Sequence, residues 1–456
     1  MSLEETPAIQ RDGAWVETKL RLITQRARRD PKCKFTTLAY LLNEGFLKDC
    51  FWELKKNKAP GIDGVTVREY EVKLEENLKE LVTRLKGKKY RPQPVRRTYI
   101  PKDGKGLRPL GIPTVEDKIV QKGIKKILEA IYEQDFMEIS YGFRPERSCH
   151  QALDRVDKTI MTKPVNYVVD MDIEKFFDTV DHKWMTECLR ERCADPSLLS
   201  LIVRFLKSGI MEEGKYQETD EGTPQGGIIS PVLANIYLHY ILDLWFEKKI
   251  KKEIKGYAGL TRYADDFIVC FEREEEAKAF GEKLRERLGK FGLKVSEEKS
   301  RVIEFGRKAW QKAKETGSKT STFNFLGFTH YCDKTRNGGF KVGRKTSGKK
   351  MRIKLKAMNQ WLKSIRNAVE LKEWWKTLKQ KLTGHYRYYG MSGNMKELRV
   401  YHSRTASLAY KWMNRRSQKK SMNMERYRRF INEWNPLPQP KIYHLTYTLS
   451  SKRTCC

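Results

Sequence analysis

Two strand-like runs surround an acidic pair in Leu260-Thr-Arg-Tyr-Ala-Asp-Asp-Phe-Ile-Val-Cys-Phe271. The apolar residues on either side favour β-strands, whereas Asp265 and Asp266 favour the turn between them. An earlier buried strand that begins at Asn166 ends at another carboxylate, Asp172. If the three strands are neighbours in one sheet, the carboxylates converge at its edge, which predicts a site for two Mg²⁺ ions, with Mn²⁺ as a substitute.

Each part of this pattern also has a plainer interpretation. An Asp-Asp pair in a hairpin more often serves the turn than a metal, because Asp favours turns. Asp170 and Asp178 compete with Asp172 as the carboxylate at the end of the strand. The metal interpretation therefore depends on the sequence around these residues.

Two neighbouring segments support that interpretation. The segment Tyr99–Pro113 reads as a hairpin whose tip carries Lys102 and Arg108, cations suited to binding phosphates. The string Gly222-Thr-Pro-Gln-Gly-Gly227 supplies an amide side chain and a glycine backbone that can lie close to a nucleotide. Strands alternate with helices through about residue 330, and the last 110 residues look mostly helical, so an α+β fold is expected.

The charge is unevenly distributed along the 456 residues. The chain carries 92 Lys and Arg against 58 Asp and Glu, a net charge of +34. Residues 341–456 hold 29 of those cations and five of the acids, or +24. This asymmetry, together with the Gly- and Lys-rich stretch 337–350, predicts a domain change near residue 340 and an acidic polymer as partner.

Aromatic side chains alternate with the cations of this basic segment, which suits a groove that binds nucleic acid by charge and stacking. The plainer interpretation is a solvated basic face over an aromatic core, and it is favoured for any single ring. The rings in question are Trp361, Trp374, Trp375, Tyr386, Tyr388, Tyr389, Tyr401, Tyr410 and Trp412.

Composition excludes several classes of protein. With 39% hydrophobic residues the chain can build sizeable cores, and no apolar run reaches the roughly 18 residues of a membrane span. The first nine residues are acidic rather than signal-like. Nine cysteines without a CxxC pair argue against a disulfide framework and a zinc ribbon. We expect a cytoplasmic protein with no membrane partner.

Seven strings in a fixed order make the chain resemble bacterial group II intron reverse transcriptase/maturases. The acidic string Arg262-Tyr-Ala-Asp-Asp266 is similar to the reverse transcriptase signature. The other six are Lys58-Ala-Pro-Gly-Ile-Asp-Gly64, Leu107-Arg-Pro-Leu-Gly-Ile-Pro113, Tyr141-Gly-Phe-Arg-Pro145, Asp172-Ile-Glu-Lys-Phe-Phe-Asp178, Gly222-Thr-Pro-Gln-Gly-Gly-Ile-Ile-Ser-Pro231 and Phe325-Leu-Gly-Phe328.

The resemblance implies a right-hand polymerase with fingers, an antiparallel palm sheet, and an all-α thumb called the X domain. The implied segments are a basic helical N-terminal extension at 1–50, fingers and palm at 51–335, the thumb at 345–430 and a tail at 431–456. Relatives with a DNA-binding region and an endonuclease carry them after the thumb, where this sequence leaves no room, so we expect the endonuclease-lacking form, without target-strand cleavage. The ending Trp434–His444 resembles tails of some members that lack the endonuclease, and we expect it to form an ordered strap rather than a linker.

The resemblance also implies roles for individual residues. Asp172, Asp265 and Asp266 would bind the metals, beside the backbone of Ile173. The remaining implied nucleotide-site residues are Lys102 and Arg108 on the triphosphate, Phe177 as steric gate against a 2′-hydroxyl, Gln225 and Gly226 lining the pocket, Ala264 near the primer end, and Lys299 in the palm. From the residues alone, Phe177 could equally be a core aromatic.

The expected activity is RNA-directed DNA polymerisation from dNTPs, on an RNA template with a DNA or RNA primer. The resemblance adds group II intron RNA as a partner, with help in splicing and retrohoming. Two alternatives stay open: a domesticated relative in phage defence, CRISPR spacer acquisition or repair, and an RNA-binding maturase that only assists splicing. The sequence leaves the oligomeric state open.

Overall fold

The computed structural model describes residues 7–101, 106–219, 221–223, 226–297, 300–416 and 422–445, with side chains from residue 15 onward. Its α-helices are α1 (Pro7–Arg29), α2 (Glu44–Trp52), α3 (Val67–Val72), α4 (Leu74–Lys86), α5 (Val115–Tyr132), α6 (Cys149–Thr162), α7 (Phe176–Thr179), α8 (His182–Arg190), α9 (Pro196–Leu206), α10 (Ser230–Leu238), α11 (Lys251–Glu253), α12 (Glu274–Gly289), α13 (Arg307–Thr316), α14 (Gly348–Ile365), α15 (Leu371–Tyr389), α16 (Met395–Met413) and α17 (Met424–Arg429). Its strands are β1 (Val95–Pro101), β2 (Leu107–Ile112), β3 (Tyr167–Met171), β4 (Ile210–Glu212), β5 (Lys215–Gln217), β6 (Ala258–Tyr263), β7 (Asp266–Phe271), β8 (Arg301–Glu304), β9 (Phe323–Phe325), β10 (Phe328–Lys334) and β11 (Phe340–Thr346).

The central sheet has the strand order β6-β7-β3-β8, and all of its neighbours are antiparallel. It contains the strand that ends at Asp172 and both strands around the acidic pair. In its register, Met171 of β3 faces Phe267 of β7. The expected α+β class and the adjacency of the three strands are confirmed.

The central sheet is buried on both faces, because residues of alternating strand positions enter two different cores. Val169 and Phe267 belong to the core formed with the N-terminal half of the chain. Val168 and Ile268 belong to a second core formed with the C-terminal helices. The sheet therefore joins the two halves of the molecule.

A second sheet, β2-β1-β4-β5, contains the predicted hairpin. Strands β1 and β2 pair from Arg96 with Ile112 to Pro101 with Leu107. Val95 and Arg96 pair with β4 in parallel. This sheet anchors the base of the hairpin to the strands that precede the Gly222 loop.

The Gly- and Lys-rich stretch expected to mark a boundary near residue 340 largely forms a strand. Strand β11 pairs along its whole length with β10, in the sheet β11-β10-β9. Its alternate side chains Phe340 and Val342 are buried, a two-residue period that the lysines between them obscure in the sequence. The helices of the basic segment begin only at Gly348.

The residues from His182 to about Ser208 have the apolar spacing of one continuous helix, but they form two helices, α8 and α9. Asp195 is the N-cap of α9, because its side chain accepts hydrogen bonds from the backbone amides of Ser197 and Leu198, at 2.8 and 3.2 Å. Pro196 then occupies the first helical position, where its missing N–H costs nothing. The Asp-Pro pair, which favours the start of a helix, therefore begins a new helix although the apolar spacing of the segment is continuous.

The N-terminal segment is tied to the rest of the chain by two buried polar side chains. The second carboxylate oxygen of Asp195 accepts from the amides of Leu38 and Ala39, at 2.6 and 2.7 Å. Buried Arg192 donates to the carbonyls of Ala27 and Cys33, both at 3.1 Å. The segment predicted as a basic extension thus packs as part of the N-terminal core.

Helices α14, α15 and α16 enclose an aromatic core. None of the nine aromatic residues identified in this segment is exposed, and Trp374, Tyr386 and Trp412 are among the buried ones. Cations cover some rings from outside, as Lys381 does Trp361 at 4.8 Å. The plainer interpretation of these rings is correct, because amphipathic helices turn them inward.

The described part of the tail lies against the end of α15, as expected for an ordered strap. The amides of Tyr443 and His444 donate to the carbonyl of Gly390, at 2.7 and 2.9 Å. The His444 ring stacks on His150 of α6, with ring centroids 3.5 Å apart. The tail therefore bridges the C-terminal helices and the central part of the chain.

Within the ranges given above, no helix combines the length and apolarity that crossing a bilayer requires. The cysteines of the same ranges are free thiols, and most of them are buried. The described cysteines therefore serve packing rather than cross-linking, as their spacing predicts.

Candidate polymerase active site

The acidic turn, Tyr263–Asp266, closes the hairpin between β6 and β7. Tyr263 pairs directly with Asp266, so Ala264 and Asp265 form the turn itself. Ala264 has a φ of 56°, in the left-handed region that two-residue hairpin turns use. The strands on both sides hold this turn at one end of the central sheet.

Asp172 reaches the same end of the sheet from the neighbouring strand. It directly follows Met171, whose partner Phe267 is next to Asp266. Residues that alternate along a strand share a face, so Asp170 lies on the same face as Asp172. Adjacent strands of one antiparallel sheet thus bring the predicted carboxylates together.

The carboxylates are close enough to affect one another's ionisation. Burial raises the pKa of Asp265, and the negative charge of Asp172 adds to the effect. The pKa of Asp266 rises to about 7, first through loss of hydration in the cleft and then through Asp265, Asp172 and Asp170. The Asp266 side chain still has solvent access, so it lies in an open cleft rather than in a closed core. A cation placed here would relieve the repulsion.

The carboxylate oxygens are donors of the hard type that Mg²⁺ prefers. Among the described residues, no group of three or more His, Cys, Asp or Glu side chains is arranged so that it could hold a metal ion. Mg²⁺ does not need one, because it prefers hard oxygen ligands and usually keeps water and substrate phosphates in its shell. An open set of repelling carboxylates is the kind of site that a phosphate-bearing substrate and its metal complete together.

The backbone around Ile173 is fixed by a short bridge to the segment after α12. The carbonyl of Asp172 accepts from the Ser296 amide and the amide of Glu174 donates to Lys294, both at 2.8 Å. These bonds do not use the Ile173 peptide groups, and its side chain is buried. The role of the Ile173 backbone beside a metal therefore stays a prediction.

Phe177 lies at the edge of the core, whereas its neighbour Phe176 is buried in it. The Phe177 carbonyl accepts from the Thr223 amide at 2.7 Å. Gly222, with a φ of 86°, lies so close that an added Cβ would be 2.9 Å from the same carbonyl. The structure therefore brings the predicted gate and the predicted pocket loop into contact.

The other side of that loop contacts the hairpin. At Gly226, with a φ of 111°, an added Cβ would be 2.4 Å from the Gly111 carbonyl oxygen, so only glycine fits. Arg108, exposed on the same strand β2, lowers the pKa of Asp265 by its charge. Arg108 and Gly226 are thus at the predicted site, while Lys102, Gln225 and Lys299 lie outside the described residues.

The fully buried side chain of Arg262 fixes the acidic turn from the protein interior. Its guanidinium donates to both carboxylate oxygens of Asp243, at 2.7 and 2.5 Å. It also donates to the Asn235 side chain and to the Ala264 carbonyl, both at 3.0 Å. Asn235 in turn donates to the Gly142 carbonyl at 2.7 Å. We call Arg262, Asp243 and Asn235 the polar cradle.

Sequence reasoning assigned no role to the polar cradle or to the turn at Gly142. An added Cβ at Gly142 would be 2.2 Å from the Ala264 nitrogen, so this turn lies directly on the acidic turn. The sequence feature that could have indicated the polar cradle is the presence of two polar residues, Asn235 and Asp243, in an otherwise apolar helical run. Asp243 ends a π-helical segment, His239–Asp243, a deviation that often marks functional sites.

Comparison with known proteins identifies the family to which this chain belongs. The family model "Reverse transcriptase (RNA-dependent DNA polymerase)" matches residues 100–330, about half of the chain. The chain therefore belongs to the reverse transcriptase family. Its relatives support the narrower group of group II intron reverse transcriptase/maturases, as the motifs predict.

Three relatives illustrate this. The "Group II intron-encoded protein LtrA" of Lactococcus lactis subsp. cremoris is 34% identical over 302 residues, which cover 64% of this chain and 50% of the relative. "Protein YkfC" of Escherichia coli (strain K12) is 34% identical over 274 residues, or 53% and 72%. "Nuclear intron maturase 4, mitochondrial" of Arabidopsis thaliana is 26% identical over 154 residues, or 33% and 19%. The chain matches only about half the length of LtrA.

Proposed function

We propose that this chain is an RNA-directed DNA polymerase that extends a primer 3′-hydroxyl on an RNA template with dNTPs. The observation that carries the proposal is the position of Asp172, Asp265 and Asp266 at one end of the central sheet, with Arg108 within electrostatic range. Membership of the reverse transcriptase family supports it. In this assignment the central sheet is the palm, the β1–β2 hairpin belongs to the fingers, and α14–α16 form the thumb.

The cleft residues divide the work. Arg108 binds the triphosphate, and Lys102 supplies a second cation for it. Phe177, fixed through its carbonyl by the Gly222 loop, occupies the space that a 2′-hydroxyl would need. Asp172, Asp265 and Asp266 would hold two Mg²⁺ ions, whose positive charge would favour attack by the primer hydroxyl and departure of the pyrophosphate. The Ala264 backbone lies beside the primer end.

We also propose that the chain binds group II intron RNA. Exposed cations on the proposed thumb, such as Lys349, Arg352 and Lys356 of α14, give the charge that a polyanion requires. LtrA is named as a group II intron-encoded protein, and the Arabidopsis relative as an intron maturase. Assistance to splicing would follow from that binding.

Primer extension tests the polymerase. The purified chain, given an RNA template, a DNA primer, dNTPs and Mg²⁺, should synthesise cDNA, and Asp265→Ala should abolish synthesis while RNA binding remains. Asp333→Ala, which removes a carboxylate from strand β10 of a different sheet, is the matched control and should extend normally. Equal synthesis by Asp265→Ala would refute the catalytic assignment. RNA binding without any extension by the native chain would instead indicate a maturase that only assists splicing.

A further inference from the structure

Phe143 is an exposed aromatic residue held in a conformation that side chains rarely adopt. Its φ is 57°, in the left-handed region, and 53% of its surface is open to solvent. A bulky residue in this conformation is an outlier that the surrounding structure has to enforce. Such outliers concentrate at binding sites, so the reason for this one has to be sought in its surroundings.

The turn that carries Phe143 is rigidly held on both sides. The buried Arg144 donates to the carbonyls of Met137 and Ser140, at 2.7 and 2.8 Å, and pairs with Glu133 at 2.7 Å. On the other side, Asn235 of the polar cradle binds the Gly142 carbonyl. The Phe143 ring is therefore presented to solvent by a fixed backbone.

The ring is presented beside the acidic turn. The centroids of the Phe143 and Tyr263 rings are 6.4 Å apart, and Gly142 lies against the Ala264 backbone. Tyr263 and Asp266 are a directly paired set, so their side chains share one face of the sheet. A polymer end that reaches the carboxylates on this face passes Phe143.

The location of Phe143 relative to the proposed nucleotide site determines which part of the substrate it can contact. The proposed nucleotide site is on the hairpin side, where Arg108 acts on Asp265. Phe143 and Tyr263 are on the other side, because Tyr263 packs against the core that also contains Trp374 and Leu378 of α15. In phosphoryl transfer the attacking and leaving oxygens are roughly in line, so the primer 3′ end lies on the side of the carboxylates opposite to the departing pyrophosphate.

We propose that Phe143 is a contact for the primer strand, packing its ring against the sugar and base of the 3′-terminal nucleotide. Aromatic faces bind any base by stacking, so the contact would be independent of sequence. The ligand is a nucleic acid 3′ end, and the inference rests on the polymerase function proposed above.

The test compares Phe143→Gly with Glu146→Gly. Both residues are exposed on the same turn and both have a φ of 57°, so glycine relieves the same backbone strain in each. Only the first variant loses a ring. Phe143→Gly should raise the KM for template–primer about 10-fold, the loss of one stacking contact, with the KM for dNTP unchanged. Its melting temperature should equal or exceed that of the native chain, and Glu146→Gly should extend normally.

Two further measurements distinguish stacking from other effects. The slope of binding against salt concentration should be unchanged in Phe143→Gly, because no cation is lost. Phe143→Trp should restore the template–primer KM, whereas Phe143→Leu should not. If Phe143→Leu matched the native chain, or if the salt slope fell with the affinity, the stacking contact would be wrong.

Photo-crosslinking tests the contact between Phe143 and the primer terminus without requiring catalytic turnover. With 4-thiothymidine at the primer terminus, the crosslink should map to residues 140–146, and it should leave this segment when the label is moved five nucleotides upstream. A crosslink to this segment from the template strand alone would overturn the proposal. A native chain that crosslinks at the terminus without extending would contradict the polymerase function and leave the contact standing.

Discussion

Breaking the polar cradle should cost both stability and activity, and Asp243→Ala is the most direct perturbation. Arg262 and Asp243 are both completely buried, and Asp243 accepts two of the guanidinium's hydrogen bonds. The variant leaves the guanidinium with Asn235 and the Ala264 carbonyl, but with no counter-charge among these contacts. The acidic turn would then depend on a cation that no longer has its fixed partner.

The expected loss follows from this geometry. Removing one member of a buried ion pair typically costs about 3–5 kcal/mol, because the remaining charge stays unpaired away from water. Native domains are stable by only about 5–15 kcal/mol, so a large part of the margin would be lost. Disturbing the Ala264 carbonyl should also slow extension, because small displacements of catalytic groups lower the rate strongly.

A paired replacement separates the two effects. Apolar residues of similar volume often replace a buried ion pair without loss of stability. The double variant Asp243→Leu with Arg262→Met should therefore recover most of the stability. It should remain slow, because the thioether that replaces the guanidinium cannot donate a hydrogen bond to the Ala264 carbonyl.

Urea unfolding followed by circular dichroism measures the stability, and single-nucleotide extension measures the rate. Glu274→Ala, which removes an exposed ion pair with Lys278, is the control and should unfold at the native urea concentration. A destabilisation of less than about 1 kcal/mol by Asp243→Ala, the range of a surface pair, would show that the buried ion pair contributes no more than an exposed one. Full extension activity in the double variant would show that the cradle does not position the turn.

Two further predictions concern discrimination and charge. Phe177→Ala should increase ribonucleotide incorporation, and single-nucleotide extension with rNTPs checks this; unchanged selectivity would exclude Phe177 as the gate. Changing Lys349 and Lys356 to Gln should weaken RNA binding. The slope of the logarithm of the binding constant against the logarithm of the salt concentration should fall in magnitude by about two, one for each lost phosphate contact. Filter binding at several salt concentrations measures both quantities. Lys278→Gln, on the remote helix α12, should leave both unchanged.

The strands and carboxylates were predictable because short-range signals specify them. Apolar runs interrupted by Asp265 and Asp266 define two strands and a turn with no need for distant contacts. The burial of the aromatic residues of α14–α16 was equally predictable, because helical spacing places Trp374 and Tyr386 on the inner face. Strand β11 was missed because its exposed lysines outweigh its two-residue period in composition.

The polar cradle could not be predicted, because its members are far apart in the chain. Arg262 meets Asp243 and Asn235 only after the helix packs behind the hairpin, and no spacing rule gives that contact. The left-handed conformation of Phe143 was equally hidden, since a bulky residue at positive φ contradicts local preference. Such conflicts between local preference and structure are expected at functional sites.

The shared core decides how the basic segment can be tested. Val168 and Ile268 of the central sheet pack in the same core as Trp374 and Leu378 of α15. Removing the chain from Lys345 onward would expose that face of the sheet, on which Asp172 and Asp266 also lie. Such a deletion would lose RNA binding by unfolding as readily as by losing charge. Substitution of exposed cations keeps the core intact, so only that experiment assigns the charge to a surface.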